Sequence, residues 1–346
     1  MLTAIIKSLR STEKSVELTV ISGNPEMTSA QHQVNSIHRF NFFEIIKSLH
    51  GCDLLISGGG SLLQDVTSMR SLLYYLSILA LGVILKKKVM LFGQGIGPIN
   101  SRFLRKLTKL ICSHADLITV RDQDSLYELR RLGVPTQKVQ LTADSVLTLP
   151  QEGKDLGKGL LNAFHVPENK MLIAISVRKW QEDDSYLLEL AKAADLLAEE
   201  YNAHIVLLPL QYPVDVEACR RLQHFMRQTA ASTVLETACD TEQFLSLVGN
   251  FDLLIGMRLH ALIFAAVMEL PFVEHSKAPS PDGFVKDING INAGKVEELQ
   301  AAQVVAAVHK ALAPETSAHG MLDKLRAKAL LNAQEAFELL SRGDVR

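Results

Sequence analysis

The sequence predicts an α/β protein built from two doubly wound, Rossmann-like domains, and three observations support this prediction. The chain has 346 residues, which is more than one hydrophobic core usually organises. Short apolar or β-branched runs alternate with segments of helical length, as in βαβ units with parallel strands. A polar, glycine-containing stretch near residues 148–168 interrupts this alternation, which then starts again.

The first domain is predicted over residues 1–150 and the second over residues 168–314. Candidate strands of the first domain are 16–21, 54–57, 89–92, 117–120 and 139–141, and its candidate helices are 42–49, 70–85, 102–113 and 123–132. Candidate strands of the second domain are 171–177, 205–209, 233–235, 253–256 and 272–274, and its candidate helices are 184–201, 213–228, 241–248 and 259–270.

The C-terminal segment 315–346 is predicted to contain one amphipathic helix, because Leu, Ala, Glu and Lys recur with helical spacing over residues 321–341. We expect this helix to cross back and pack on the N-terminal domain. Two doubly wound domains that face each other place the carboxyl ends of both sheets at one shared cleft. We therefore expect the functional site in that cleft.

Charge and composition exclude several classes of function. The formal net charge is −2 and Lys/Arg residues form no dense block, so the basic face that nucleic acid requires is not expected. The four cysteines are far apart, and no His, Cys, Asp or Glu cluster has metal-ligand spacing, which predicts reduced thiols and chemistry without a metal. The chain does not open on a signal sequence, so we expect a cytoplasmic protein.

The longest apolar run, residues 71–85, ends in three consecutive lysines, residues 86–88. It is shorter than the roughly 20 residues that a membrane-spanning helix needs. The run therefore predicts either an ordinary buried helix or a helix that rests on the bilayer surface, where the lysines would contact anionic lipid.

Two glycine-rich loops follow neighbouring candidate strands of the first domain. Backbone amides in such loops can bind an anion, although tight turns also need glycine. The second loop, residues 93–98, lacks the spacing of a dinucleotide-binding motif. The candidate ligand-binding residues of these loops are Gly58, Gly59, Gly60, Ser61 and Gly95.

Basic side chains follow the candidate strands of both domains. Arg121 comes directly after strand 117–120, where it could bind a phosphate or carboxylate, or pair locally with Asp122 or Asp124. Arg178 and Lys277 follow two strands of the second domain. This recurrence of positive charge in a slightly acidic chain predicts an anion-binding site.

The corner after strand 253–256 places Arg258, Leu259 and His260 in sequence. The arginine can clamp a phosphate or carboxylate, and a histidine near its ordinary pKa can exchange a proton at neutral pH. The alternative is a helix-capping histidine beside a surface arginine. We identify His260 and Arg258 as the candidate catalytic residues.

Four segments together, residues 57–65, 93–98, 121–125 and 256–260, resemble the polysaccharide pyruvyl transferase family, and within it the bacterial CsaB group. The resemblance implies a GT-B-like pair of Rossmann-like domains. It places the family's donor-binding arginine on Arg121 and its Arg-Leu-His motif on Arg258, Leu259 and His260. The family's usual opening strand and glycine-rich loop do not precede residues 1–10, so we expect the sequence to begin inside its first βα unit.

The resemblance implies that phosphoenolpyruvate, a co-substrate, donates pyruvyl to a sugar and that no further cofactor is needed. In the CsaB group the acceptor is N-acetylmannosamine in a lipid-linked precursor of the secondary cell wall polysaccharide. The product is a 4,6-linked ketal, and such sugars anchor S-layer homology domains. This acceptor implies work at the inner face of the cell membrane, with peripheral contact at most.

Two other functions fit the same residues. A glycosyltransferase that uses a sugar nucleotide would share the two-domain architecture and bind a diphosphate through the same basic groups. A regulator that senses a phosphorylated metabolite would bind phosphoenolpyruvate without consuming it. Ligand binding and phosphate release distinguish these alternatives.

Overall fold

The computed structural model describes residues 1–66, 68–181, 183–276, 283–313 and 319–342. These residues form parallel-stranded sheets with helices between the strands, as predicted. The strands are β1 (Thr19–Ser22), β2 (Asn35–His38), β3 (Leu54–Ser57), β4 (Gly60–Leu63), β5 (Lys88–Ile96), β6 (Leu117–Val120), β7 (Val139–Leu141), β8 (Leu172–Ser176), β9 (His204–Leu207), β10 (Ser232–Val234), β11 (Leu253–Gly256), β12 (Phe272–Ser276) and β13 (Ile291–Lys295).

The helices connect these strands and also open and close the chain. They are α1 (Leu2–Thr12), α2 (Pro25–His32), α3 (Phe42–Gly51), α4 (Met69–Ile84), α5 (Arg102–His114), α6 (Gln123–Leu132), α7 (Asp155–Ala163), α8 (Ser185–Glu200), α9 (Val216–Phe225), α10 (Thr241–Val248), α11 (Leu259–Val267), α12 (Gly283–Asp287), α13 (Ala301–Ala311) and α14 (His319–Ser341). None of the helices within the described ranges is long and apolar enough to cross a bilayer.

The chain divides into two compact units, and each has the parallel sheet of a Rossmann-like domain. One unit comprises Met1–Leu149 together with Lys324–Arg346, and the other comprises Pro150–Asp323. The first unit contains a parallel sheet in the order β3-β5-β6-β7, with β4 paired to the far end of β5, and a separate parallel pair of β1 and β2. This architecture confirms the predicted fold class.

The main sheet of the first unit is covered on both faces, because both faces of its long strand β5 are buried. Val89 and Leu91 pack with helices α3, α4, α5 and α6 on one face. Met90 and Phe92 point the opposite way and pack with α1 and α14. Strand side chains alternate between the two faces, so an unbroken apolar run such as this one fits a strand buried on both sides.

The C-terminal helix α14 returns to the first unit, as the sequence predicts, and two polar side chains hold it there. Asn332 is fully buried, and its amide oxygen accepts hydrogen bonds from Thr119 Oγ1 at 2.6 Å and from Thr142 Oγ1 at 2.8 Å. Lys88 Nζ donates to carbonyl oxygens at the end of α14, with the shortest contact 2.6 Å to Arg342. These contacts tie the last turn of the helix to the start of β5.

The second unit contains a six-stranded parallel sheet in the order β10-β9-β8-β11-β12-β13. In the order of the chain this is the arrangement 3-2-1-4-5-6 of a doubly wound fold. The direction of winding reverses between β8 and β11, which are hydrogen-bonded neighbours. Ligands of open α/β sheets bind outside the carboxyl ends of the strands at such a reversal.

The segment predicted as a linker contains a packed helix instead. Helix α7 belongs to the second unit and contacts α10 so closely that Gly157 N donates a 2.8 Å hydrogen bond to Ser246 Oγ. A Cβ at Gly157 would lie 2.5 Å from Leu247 Cα. The glycines that suggested a flexible linker therefore permit close helix packing, and Leu161 is buried beneath them.

Candidate functional site

The first glycine-rich loop connects two strands and does not lead into a helix. After β3 the chain enters β4 almost at once, and Gly60 pairs with Gln94 of β5. Strand β5 extends beyond β3, so β4 supplies the pairing partner for its far end. Gly60 has φ +96°, a backbone conformation that favours glycine. The turn alone therefore accounts for this glycine, and no ligand is needed to explain it.

The other two glycines of this loop are close to the N-terminal helix of the first unit. A Cβ at Gly58 would lie 3.1 Å from Ile5 Cδ1, and one at Gly59 would lie 2.7 Å from Met1 Sδ. Packing against these side chains is sufficient to account for both glycines. Their role in binding a ligand stays a prediction.

Arg121 lies at the carboxyl end of β6 and is held by three hydrogen bonds. Its Nε donates to Asp122 Oδ2 at 3.2 Å, Nη1 to Asp144 Oδ2 at 3.1 Å and Nη2 to Ser61 Oγ at 3.0 Å. Burial alone lowers the pKa of the Arg121 guanidinium, but the charges of Asp144 and Asp122 outweigh burial and raise the pKa above its ordinary value. The local ion pair considered for Arg121 is present, and Asp144 is a second partner that sequence reasoning missed.

The second glycine-rich loop lies largely within β5, and Gly95 belongs to the Arg121 cluster. A Cβ at Gly95 would lie 2.8 Å from Ser61 Oγ and 2.9 Å from Arg121 Nη2. The structure thus brings together three predicted site residues, Ser61, Gly95 and Arg121. Asp122 and Asp144 contribute two negative charges against the one positive charge of Arg121, so the charge of these three residues does not favour an anion.

The second unit places Arg258 and Arg178 at the reversal between β8 and β11. Gly256 pairs with Ser176, and each arginine lies two residues beyond its member of this pair. Burial lowers the pKa of the Arg178 guanidinium, and the positive charge of Arg258 lowers it further. Two predicted basic residues from neighbouring strands are therefore electrostatic neighbours.

A buried carboxylate, Asp215, orients Arg258. Asp215 is fully buried in the segment between β9 and α9, and its Oδ1 accepts a 2.5 Å hydrogen bond from Arg258 Nη2. Its Oδ2 accepts a 2.8 Å hydrogen bond from the Gln211 backbone amide, while Gln211 Oε1 accepts from Arg258 Nη2 at 3.2 Å. Both partners lie more than 40 residues from Arg258 in sequence, so no local motif indicated them.

The guanidinium of Arg258 retains an N–H donor that the described residues do not use. Its Nε is buried and has no hydrogen-bond partner in the described part of the chain. The Arg178 side chain forms no hydrogen bond or ion pair with the described residues. Asp215 therefore forms an ion pair with Arg258, and its negative charge also acts on the neighbouring Arg178.

The remaining predicted residues lie beside this arginine pair or outside the described residues. Leu259 and His260 are the first two residues of α11, which follows Arg258 directly, and both are partly buried. Lys277 lies outside the described residues. Arg178, Arg258 and His260 therefore all lie at the carboxyl end of the second unit's sheet.

The sequence of this chain matches that of a known family over most of its length. A profile described as "Polysaccharide pyruvyl transferase" matches residues 1–273. The chain belongs to the polysaccharide pyruvyl transferase family. The chain is similar in sequence to the amylovoran biosynthesis protein AmsJ of Erwinia amylovora. The two proteins are 24% identical over 277 residues, which cover 75% of this chain. The chain spans about 65% of the length of AmsJ.

Solved structures share the fold of this pyruvyl transferase family member at low sequence identity. HepE of Anabaena, in complex with UDP and glucose, superimposes with a TM-score of 0.67 at 11% identity and covers 98% of this chain and 95% of its own. The UDP-GlcNAc 2-epimerase of Methanocaldococcus jannaschii gives a TM-score of 0.71 at 10% identity, with 99% and 97% covered. These likenesses support the predicted GT-B-like fold class. At such low identity they show the fold and not the reaction.

Proposed function

We propose that this chain transfers pyruvyl from phosphoenolpyruvate to two hydroxyls of a sugar, with release of phosphate. The observation that carries the proposal is the pair of guanidinium groups, Arg178 and Arg258, at the reversal point of the second sheet. Phosphoenolpyruvate bears a carboxylate and a phosphate, so it presents two anionic groups to two cations. Membership of the pyruvyl transferase family supports the same donor.

The charges and hydrogen bonds of the site favour a bound anion. A buried donor without an acceptor costs about 1–3 kcal/mol, and an anionic oxygen beside Arg258 Nε would remove that cost. Two neighbouring guanidinium groups repel each other, and Asp215 forms an ion pair with Arg258 but not with Arg178. A donor with two negative groups would offset the remaining charge and gain charge-assisted hydrogen bonds.

The atoms of the proposed reaction balance, and the reaction needs one group that can both donate and accept a proton. Protonation of the methylene carbon of phosphoenolpyruvate makes C2 electrophilic, and one sugar oxygen forms a bond to C2. The C2–O bond to phosphate then breaks, and the second sugar oxygen closes the ketal. Of the two hydroxyl protons, one ends on the new methyl group and the other leaves with phosphate.

We assign proton transfer to His260 and donor binding to Arg258 and Arg178. His260 lies two residues from Arg258 at the start of α11, and imidazole can give and take a proton near neutral pH. The arginines would hold the carboxylate and phosphate and stabilise negative charge on the departing group. In the first unit, Arg121 uses three of its five N–H donors within the protein, so it would contribute at most two to a ligand.

The acceptor and its location are proposed from the resemblance to the CsaB group. We propose a lipid-linked amino sugar, N-acetylmannosamine, presented at the inner face of the cell membrane to a cytoplasmic enzyme. The name of AmsJ, an amylovoran biosynthesis protein, fits a biosynthetic role of this kind. The donor would be a co-substrate, and no further cofactor enters the proposed reaction.

The deciding experiment measures phosphate release from phosphoenolpyruvate with and without a lipid-linked N-acetylmannosamine disaccharide, together with mass spectrometry of the sugar. We expect release that depends on acceptor and a sugar product with the added pyruvyl mass. His260→Ala should lower turnover far more than donor affinity, whereas His224→Ala, at an exposed position of the same unit, should change neither.

Two other outcomes would reject the proposal. Saturable binding of a UDP-sugar without binding of phosphoenolpyruvate would indicate a glycosyltransferase. Binding of phosphoenolpyruvate without phosphate release in the presence of several amino-sugar acceptors would indicate a metabolite sensor. Normal turnover of His260→Ala at saturating donor would reject only the assignment of that histidine.

The close approach at Gly95 gives a separate test of the Arg121 cluster. A Cβ there would overlap Ser61 Oγ and Arg121 Nη2, so Gly95→Ala should displace the guanidinium from its hydrogen bond with Ser61. We expect kcat/KM to fall on the order of tenfold to a hundredfold, as for a misplaced binding group. Gly153→Ala is the control, because a Cβ at Gly153 would meet no heavy atom within 4 Å. Unchanged kinetics of Gly95→Ala would mean that Arg121 has only a structural role.

A further inference from the structure

Charged residues are unevenly distributed along this chain. Residues 66–115 contain eight lysines and arginines and no aspartate or glutamate, although the net charge of the whole chain is −2. This segment includes helices α4 and α5. The excess positive charge is therefore concentrated in one part of the first unit.

The two helices present their outer surfaces side by side. Helices α4 and α5 contact each other in the layer that covers one face of the main sheet. On α4, Met69 is 58% and Leu73 40% exposed; on α5, Phe103 is 67% and Leu110 57% exposed. The spacing of each pair, i and i+4 or i and i+7, places its members on one side of the helix. Large apolar side chains thus line the outside of both helices.

Exposed lysines lie among these apolar side chains. Lys106 and Lys109 are exposed on α5, between Phe103 and Leu110, and neither forms an ion pair with the described residues. By contrast, Arg105 of the same helix turns inward and pairs with Glu128 at 3.1 Å. We call the surface formed by Met69, Leu73, Phe103, Lys106, Lys109 and Leu110 the basic apolar patch.

Neighbouring residues extend the same character. Arg70 and Arg102 are exposed at the N-terminal ends of α4 and α5, and both lack an ion-pair partner in the described part of the chain. Helix α3 lies in the same layer and exposes Phe43 to 79% and Ile46 to 38%. Exposed apolar side chains therefore continue onto α3, and two further cations without ion pairs among the described residues lie at the starts of α4 and α5.

We propose that the basic apolar patch docks this protein on the surface of an anionic phospholipid bilayer. Apolar side chains can enter the boundary between headgroups and acyl chains, while Lys106 and Lys109 contact anionic headgroups. A second copy of the chain fits less well, because a two-fold contact would set the same uncompensated lysines against each other. The docking surface does not depend on the proposed reaction.

The proposal bears on both alternatives given for residues 71–85. The inward side of α4 is a buried helix face, with Leu72, Leu76 and Leu79 in the core. Its outward side, together with α5, is the surface proposed to meet lipid. Two of the three lysines that follow the run are engaged within the protein, since Lys88 binds the end of α14 and Lys87 Nζ donates to the His50 carbonyl oxygen at 2.8 Å.

Vesicle co-sedimentation of the full chain tests the proposal. We expect binding to vesicles of phosphatidylcholine mixed with phosphatidylglycerol, weak binding to phosphatidylcholine alone, and weaker binding as salt increases. The double variant Lys106→Gln with Lys109→Gln should reduce partitioning about 25-fold, at about fivefold for each lysine. Phe103→Ser should reduce it about tenfold through lost apolar burial.

Matched changes on the opposite layer provide the control. Lys324 and Lys328 are exposed on α14, and their double replacement by glutamine should leave vesicle binding unchanged. The proposal would be overturned if replacing Lys324 and Lys328 reduced vesicle binding as much as replacing Lys106 and Lys109. Equal binding to neutral and anionic vesicles would also overturn it. A dimer that Phe103→Ser converts to monomer would assign the patch to a second copy instead. Phosphate release with a water-soluble acceptor should be the same in all these variants, which separates this inference from the proposed reaction.

Discussion

Arg258→Ala should reduce kcat/KM for phosphoenolpyruvate on the order of 10³-fold. The substitution removes the guanidinium whose buried Nε has no partner in the described structure and whose Nη2 is fixed by Asp215. A preorganised charged donor of this kind stabilises charge that develops on a leaving phosphate, and loss of one such donor typically costs about 10²–10³-fold. Steady-state phosphate release, with donor affinity from calorimetry, measures the effect.

The same substitution also lowers stability, so a second variant is needed. Removing Arg258 leaves Asp215 buried without its countercharge, which costs about 3–5 kcal/mol in comparable buried pairs. Arg178→Ala removes the neighbouring cation, which has no ion pair with the described residues, so it should weaken donor binding without loss of stability. Arg227→Ala, at an exposed position of the same unit, is the matched control. Donor affinity that is unchanged in a folded Arg178→Ala protein would contradict the paired-arginine site.

Strand ends were the most predictable part of this site. Arg121, Arg178 and Arg258 each follow a short apolar run, and the structure places all of them at carboxyl ends of parallel strands. Local sequence is sufficient here because a buried strand is a continuous apolar segment and a ligand-binding loop follows it. The fold class was predictable for the same reason.

The partners of these arginines were not predictable from local sequence. Asp215 and Asp144 are single carboxylates in otherwise unremarkable loops, and each reaches its arginine only through the pairing of the strands. Strand β4 was missed because Gly60–Leu63 is too short to separate from the loop that contains it. Its strand character comes from pairing with β5, which is a tertiary effect.

The contacts of the C-terminal helix include another residue, Asn332, whose partners local sequence does not predict. The helical spacing of apolar residues predicts α14. One polar residue, Asn332, lies among these apolar residues, and the sequence alone does not explain why it is there. In the structure Asn332 is fully buried, and its Nδ2 donates to the carbonyl oxygens of Ala143 and Ala329, both at 3.0 Å. With the two threonine bonds, all four of its hydrogen-bonding positions are used.

Asn332→Ala should therefore destabilise the first unit by about 3 kcal/mol. The substitution leaves the buried Ala143 carbonyl oxygen without this donor and opens a cavity between α14 and the sheet, and each unsatisfied buried group costs about 1–3 kcal/mol. Hydrogen exchange of the α14 and β5 backbone amides should report this loss, since both elements meet at Asn332. Gln334→Ala, at an exposed position two residues away, should leave those exchange rates unchanged. If both variants exchanged at the rates of the unmodified chain, α14 would be held by its apolar contacts alone, and the buried asparagine would specify the position of the helix without stabilising it.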